Sequence, residues 1–301
     1  YDARISGGSP RIPAATNNQA PTLAIELREP RSYNEAVFKS PQSEHWIQAN
    51  GKELMAHEKN GTFELVNPSS VPAGHNVIDG IWRYKLKQDP KTGEVLRYKA
   101  RLCARGDKQR AGIDYFDTSA PVVSMTTLRT YLALACINNW SLHSFDVETA
   151  FLNAHLEEEV YMRVPPGMNT YLGHSTANKL LKIKRGLYGL CQSSRAWWKE
   201  FNAWLVSNGD CERCSTDTCV YTFRKGESFV ALLIYVDDVI CPIGSFEVND
   251  GIRAAWESFK AFLQKQRFLA VATNSSQTIR AHLRIACLPA IGRFGKHGNI
   301  L

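Results

Sequence analysis

Apolar and polar residues alternate along Ile81-Trp82-Arg83-Tyr84-Lys85-Leu86-Lys87 and again from Val95 to Leu102, the period-2 pattern of strands. The turn sequence Asp89-Pro90-Lys91-Thr92-Gly93 lies between them, so the pair predicts a long β-hairpin. Thr62-Phe63-Glu64-Leu65-Val66 predicts a further strand. Before it, Pro41 after Ser40 suits a first helical turn and Asn60-Gly61 is a stop, which predicts a helix between them. Thr126 to Asn138 carries Leu128, Tyr131, Leu132 and Ala135 on one helical face. Ser144-Phe145-Asp146-Val147 predicts a short strand, followed by a helix-prone stretch through Leu156. Ser193 and Ser194 are expected to cap a helix whose Trp197, Trp198, Phe201, Trp204 and Leu205 pack in a core, with Gly209 as its stop. Val220 to Phe223 and Phe229 to Ile240 predict closing strands. Because strands and helices do not strictly alternate, the expected class is α+β.

Domain limits follow from the same pass. Residues 1–30, rich in Gly, Pro, Ala, Ser and Asn without a period, are expected to be a flexible lead-in. Residues 31–59 are a helical lead-in, 60–243 the main unit, and 244–301 a separate C-terminal segment in which Gly251 to Leu269 can form a helix.

Composition changes this picture little, and charge changes it more. The 44% hydrophobic and 22% charged residues are those of a globular chain, and no apolar run approaches the roughly 20 residues of a membrane span. The chain opens on Tyr1 without a secretory signal pattern, so it is expected to be a fragment of a longer protein, acting inside the cell. Cys211-x-x-Cys214, with Cys219 nearby, has no second pair at zinc spacing, and reduced structural thiols are expected. The net charge of +7 is concentrated. Ile81 to Arg110 holds ten Lys or Arg against three acids, whereas Ser141 to Val160 has five acids and no Lys or Arg. A basic segment and an acidic one suit a protein that holds a polyanion against metal ions; a solvated basic hairpin accounts for the charge alone equally well.

The chemistry concentrates in Tyr235-Val236-Asp237-Asp238, where two adjacent carboxylates interrupt an apolar, β-branched run. Aspartate is depleted in strands and neighbouring anions repel, so the pair needs a turn to expose it or cations to compensate it. Asp146 lies at the end of a second apolar strand. Nucleotidyl transfer uses two divalent ions about 3.5–4 Å apart, and hard Mg²⁺ needs only one or two carboxylates besides phosphate and water oxygens. Nothing in the spacing itself says that Asp146 meets Asp237.

A series of blocks, all in one order, resembles the reverse transcriptases of copia-type LTR retrotransposons. They are Asn60 to Val66, Tyr98 to Gly106, Gly112 to Thr118 with Ala120-Pro121-Val122, Asp146 to Leu152, and Leu156 to Met162 with Pro165-Pro166-Gly167. Leu187 to Leu190, Arg195-Ala196-Trp197 and Tyr235 to Asp238 complete the set, so the resemblance covers about residues 31–240. It implies a right-hand polymerase fold, with fingers and an antiparallel palm sheet present and the thumb absent or aberrant. The implied activity is RNA-directed DNA polymerase, adding dNTPs to a primer 3′-hydroxyl; the rival is a catalytically silent, truncated remnant that at most binds nucleic acid. Implied partners are an RNA or DNA template with primer, dNTP, and the rest of a Pol polyprotein with integrase and ribonuclease H, with no membrane and with a cytoplasmic virus-like particle as location.

Residue by residue, the resemblance implies that Asp146, Asp237 and Asp238, with the Val147 carbonyl, hold two Mg²⁺ ions, with Mn²⁺ as an alternative. Lys99, Arg101 and Arg105 are the cations expected near the triphosphate, and Phe151 the bulky side chain that excludes a ribose 2′-hydroxyl. Gly189 is expected to let backbone approach the base pair, and Gln192 to contact the template. Cys191-Gln192-Ser193-Ser194-Arg195 departs from the family's Lys-Gln-Ala-Pro-Arg, and beyond Ile240 the family's Asp-Leu-Gly and Phe-Leu-Gly segments are not found.

Overall fold

The computed structural model describes residues 27–147, 149–172, 175–208, 211–225, 228–245 and 270–273. Most of the expected flexible lead-in and the whole of the expected helix over Gly251 to Leu269 lie outside the described residues. The protein is a mixed α/β molecule with two hydrophobic cores.

One core forms on a six-stranded sheet. Its strands are β5 (Ser141–Val147), β8 (Cys211–Arg213), β9 (Val220–Lys225), β10 (Ser228–Tyr235), β11 (Asp238–Ser245) and β12 (Ala270–Thr273). The order is β12-β5-β11-β10-β9-β8 and every pairing is antiparallel. β10 lies inside the sheet and is buried from Ser228 to Ile234, and from Phe229 to Ile234 its sequence is continuously apolar where a half-exposed strand would alternate. Against it packs α5 (Ser193–Asn208), through Trp197, Phe201, Trp204 and Leu205. α2 (Met125–Ile137) starts at Ser124, whose hydroxyl accepts the Thr127 amide at 3.0 Å as an N-cap.

The second core lies between a ribbon, a small sheet and two helices. The predicted hairpin forms as β3 (Gly80–Gln88) and β4 (Val95–Ala104). Trp82, Tyr84, Leu86, Ala100 and Leu102 of the ribbon join Trp46, Ala49 and Leu54 of α1 (Ser43–Lys59) in this core. It also includes α4 (Met168–Leu172) and a four-stranded sheet of order β1-β7-β6-β2, made by β1 (Phe63–Val66), β2 (Val77–Ile78), β6 (His155–Arg163) and β7 (Leu180–Arg185).

Two local expectations are corrected. The helix after β5 does not reach Leu156: α3 (Ala150–Asn153) ends at Ala154, which is extended, and β6 begins at His155. Glu157 to Glu159 thus lie in a strand, against their intrinsic preference. Partners from elsewhere in the chain compensate: Lys182 on β7 and the Tyr161 hydroxyl bond Glu159, and Lys199 on α5 meets Glu157 at 2.9 Å. The Ser193 hydroxyl does not cap α5 either. It accepts the Leu187 amide at 2.9 Å and donates to the Leu187 carbonyl at 2.6 Å, closing the loop before the helix.

Candidate active site

β5 and β11 bring the acidic residues together. Asp146 and Asp238 are register partners, so their side chains leave the same face of the sheet as cross-strand neighbours. Tyr235 pairs with Asp238, leaving Val236 and Asp237 as a two-residue turn. Only the first of these has positive φ, +60°, as in a type II′ turn, a position suited to glycine and strained for a β-branched residue. Two bonds hold the turn: the Trp197 indole N–H donates to the Val236 carbonyl at 2.9 Å, and the Val147 amide donates to the Asp237 carbonyl at 3.1 Å. Thr149, with φ +51°, is a second left-handed β-branched residue beside the carboxylates. Strain of this kind, about 1–3 kcal/mol per residue, gathers where a site imposes geometry.

Partial burial, then the neighbouring Asp237 charge, raises the Asp238 carboxyl above the ordinary aspartate range. Like charges placed opposite each other disfavour the arrangement unless a cation joins them. Among the described residues no three His, Cys, Asp or Glu side chains form a group able to hold a metal by themselves. The oxygen-only donors do fit Mg²⁺, which takes one or two carboxylates and completes its shell with phosphate and water oxygens.

A cleft of about 490 Å³ opens beside these residues. Asp146, Val147, Thr149 and Asp237 form one end, and Lys99 and Arg101 of β4 line it together with Tyr188 and with Lys52 and Glu53 of α1. The Arg101 guanidinium stands 4.7 Å over the Tyr188 ring, and Phe151 meets that ring edge-on with centroids 5.0 Å apart. Burial lowers the Lys99 pKa from its ordinary value, and the Arg101 and Arg97 charges lower it further. Across the ribbon, Arg83 pairs with Arg101, Lys85 with Lys99 and Lys87 with Arg97, a face of like charges suited to an anion. The β3 cations and the α1 wall were not singled out from sequence. For β3 the signal was present, since its Lys and Arg share one parity of the alternation.

Three expected site residues lie elsewhere or act differently. Arg105 follows β4 and does not line the cleft; Asp107 holds its guanidinium through bonds of 2.6 and 2.7 Å. Gln192 is only 2% exposed, donates to the Asp114 carbonyl at 2.8 Å and accepts from Gln109 at 3.0 Å, so its amide is engaged inside the fold. Gly189 does permit a close approach, but to protein: at φ +90° a Cβ there would lie 2.2 Å from the Ala104 carbonyl oxygen.

The chain matches the family described as reverse transcriptase (RNA-dependent DNA polymerase) over residues 60–279. That span passes the limit expected at residue 243 and takes in β12, whose pairing with β5 extends the sheet. The chain is 36% identical over 222 residues to the retrovirus-related Pol polyprotein from transposon RE1 of Arabidopsis thaliana, covering 73% of this chain and 14% of that protein. It is 38% identical over 219 residues to the Pol polyprotein from transposon TNT 1-94 of Nicotiana tabacum, covering 72% and 16%. A solved foamy viral protease–reverse transcriptase in complex with double-stranded DNA matches with TM-score 0.33 and 11% identity, over 75% of this chain and 30% of that one. The chain thus spans about one-seventh of the curated relatives' length. With that match and the ordered motif blocks, the chain belongs to the reverse transcriptases of copia-type LTR retrotransposons.

Proposed function

We propose that this chain carries the fingers and palm of an RNA-directed DNA polymerase, the six-stranded sheet serving as palm and the β3–β4 ribbon with α1 as fingers. Its substrates are a dNTP and a primer on an RNA or DNA template, and the remaining Pol domains, including integrase and ribonuclease H, are its natural partners. What supports this above all is Asp146 facing Asp238 beside a cleft whose other wall carries Lys99 and Arg101. Mg²⁺ held by Asp146, Asp237 and Asp238 with the Val147 carbonyl would supply a more acidic primer 3′-hydroxyl and neutralise triphosphate charge. Lys99 and Arg101 bind the triphosphate and offset charge on the leaving pyrophosphate. Phe151, braced by Tyr188, shapes the sugar position against a 2′-hydroxyl.

The test is Mg²⁺-dependent primer extension by a chimera carrying a conventional thumb after Thr273, which leaves β12 paired with β5. Asp146→Asn in that chimera is expected to lose roughly 4 kcal/mol of transition-state stabilisation, about a thousandfold in rate, while the fold survives. Phe151→Ala is expected to admit ribonucleotides and retain most dNTP incorporation. A chimera that binds primer–template but never extends it would overturn the enzyme in favour of the silent remnant.

A further inference from the structure

A ribbon of two strands has two open edges, and unpaired edge amides need acceptors. On β3 the Leu86 amide donates to Glu29 Oε1 at 3.0 Å. On β4 the Leu102 amide donates to Glu53 Oε1 at 3.1 Å, and Glu53 comes from α1, forty-nine positions earlier. Glu53 also has a buried neighbour on its own helix. His57, one helical turn on, brings Nε2 within 3.4 Å of the same carboxylate oxygen, and its Nδ1 faces Thr62 Oγ1 at 3.3 Å. His57 and Thr62 are both fully buried. A chain of contacts therefore runs from Thr62 through His57 and Glu53 to the backbone of β4.

Leu102 adjoins Arg101, whose guanidinium stands over Tyr188 in the cleft, and Lys99 lies on the same strand. We propose that Glu53 is a positioning residue for nucleotide binding: by accepting the Leu102 amide it sets the register of β4 against α1, and so the placement of Lys99 and Arg101 before the carboxylates. This rests on the nucleotide-site reading above. The required property is a hydrogen-bond acceptor at the reach of a glutamate, and the negative charge is dispensable.

Three variants separate acceptor, reach and charge. Glu53→Gln keeps acceptor and reach, Glu53→Asp keeps the charge and an acceptor but shortens the reach by one methylene, and Glu53→Ala removes all three. The measurement is equilibrium binding of a fluorescent dNTP to the full 301-residue chain in Mg²⁺, with thermal melting of each variant alongside. Glu53→Ala and Glu53→Asp are expected to weaken binding about tenfold, the scale of one lost hydrogen bond of a charged acceptor. Glu53→Gln should bind as tightly as the unchanged chain, or more tightly. If Glu53→Ala fails to fold, the Asp and Gln variants decide. Weak binding by Glu53→Gln with normal binding by Glu53→Asp overturns the proposal in favour of charge. Equal binding by all variants overturns the role of Glu53 alone, whereas no saturable dNTP binding by the unchanged chain removes the nucleotide site and this inference with it.

Discussion

Asp146 on β5 stands directly opposite Asp238 on β11, two carboxylates in one cross-strand pair. Like charges directly opposite each other repel, and a cation between them would relieve that repulsion. Partial burial and then the adjacent Asp237 charge raise the Asp238 pKa, so the folded state takes up a proton more readily than the unfolded chain and stability declines as pH rises from the ordinary aspartate value through the raised one. Asp238→Asn is expected to raise the metal-free melting temperature at neutral pH. Under the proposed metal binding, Mg²⁺ is expected to raise the melting temperature of the unchanged chain, and the variant should show a smaller shift. Melting scans with chelator and with Mg²⁺ check both; a lower metal-free melting temperature for the variant would contradict the repulsion.

The cations divide by their surroundings. Lys99 and Arg101 line the cleft, whereas Arg105 is engaged by Asp107 outside it. Charge reversal at Lys99 or Arg101 should weaken dNTP binding by about tenfold or more, while Arg105→Glu leaves it within about threefold. Primer–template affinity should fall steeply with added salt because counterions are released by the basic ribbon. Titrations at two ionic strengths separate the two effects, and equal losses from all three reversals would make them common backbone-grip residues.

Gly189 and Gln192 are expected to fail through the fold. A Cβ at Gly189 meets the Ala104 carbonyl at a backbone angle strained for any side chain, so Gly189→Ala should cost on the order of 3 kcal/mol. Gln192→Ala deprives the buried Asp114 carbonyl of a donor and should cost about 1–3 kcal/mol. Denaturant titration measures both. A Gln192→Ala protein of unchanged stability but weakened template binding would restore Gln192 to the template.

The β3 edge supplies a pH test. Hydrogen bonding to Lys85, aided by the Leu86 amide, holds Glu29 below its ordinary value of 4.5. Its contribution is present above that value and is lost as pH falls through the lowered one. Hydrogen exchange at Leu86 should show protection, corrected for the intrinsic rate, decreasing below about pH 4.5. Glu29→Gln should abolish that dependence.

Local order was written plainly in the sequence. Alternation marked β3 and β4, and turn chemistry marked the loop between them. The limits of α1 and α2 came within a few residues of their signals, because caps, prolines and periodicity act on adjacent residues. The identities of Asp146, Asp237 and Asp238 were legible too, since carboxylates are conspicuous in apolar strands. Which strand lies beside which was not. The glutamates of β6 are conspicuous in the sequence but do not read as a strand, because Lys182 and Lys199, from distant positions, are what make an acidic strand tolerable. Gly189 pointed to a close approach without saying to what, and Gln192 looked available until its burial against Asp114 was seen. The sequence by itself determined the ribbon, α1, α2, α5 and the strands that carry the carboxylates, together with the family and the chemical groups. Tertiary structure alone decided that β5 lies between β11 and β12, that Asp146 therefore meets Asp238, and that Glu53 reaches the edge of β4. The physical reason is that hydrophobic period encodes which face of an element is buried, whereas pairing depends on packing among groups far apart in the chain.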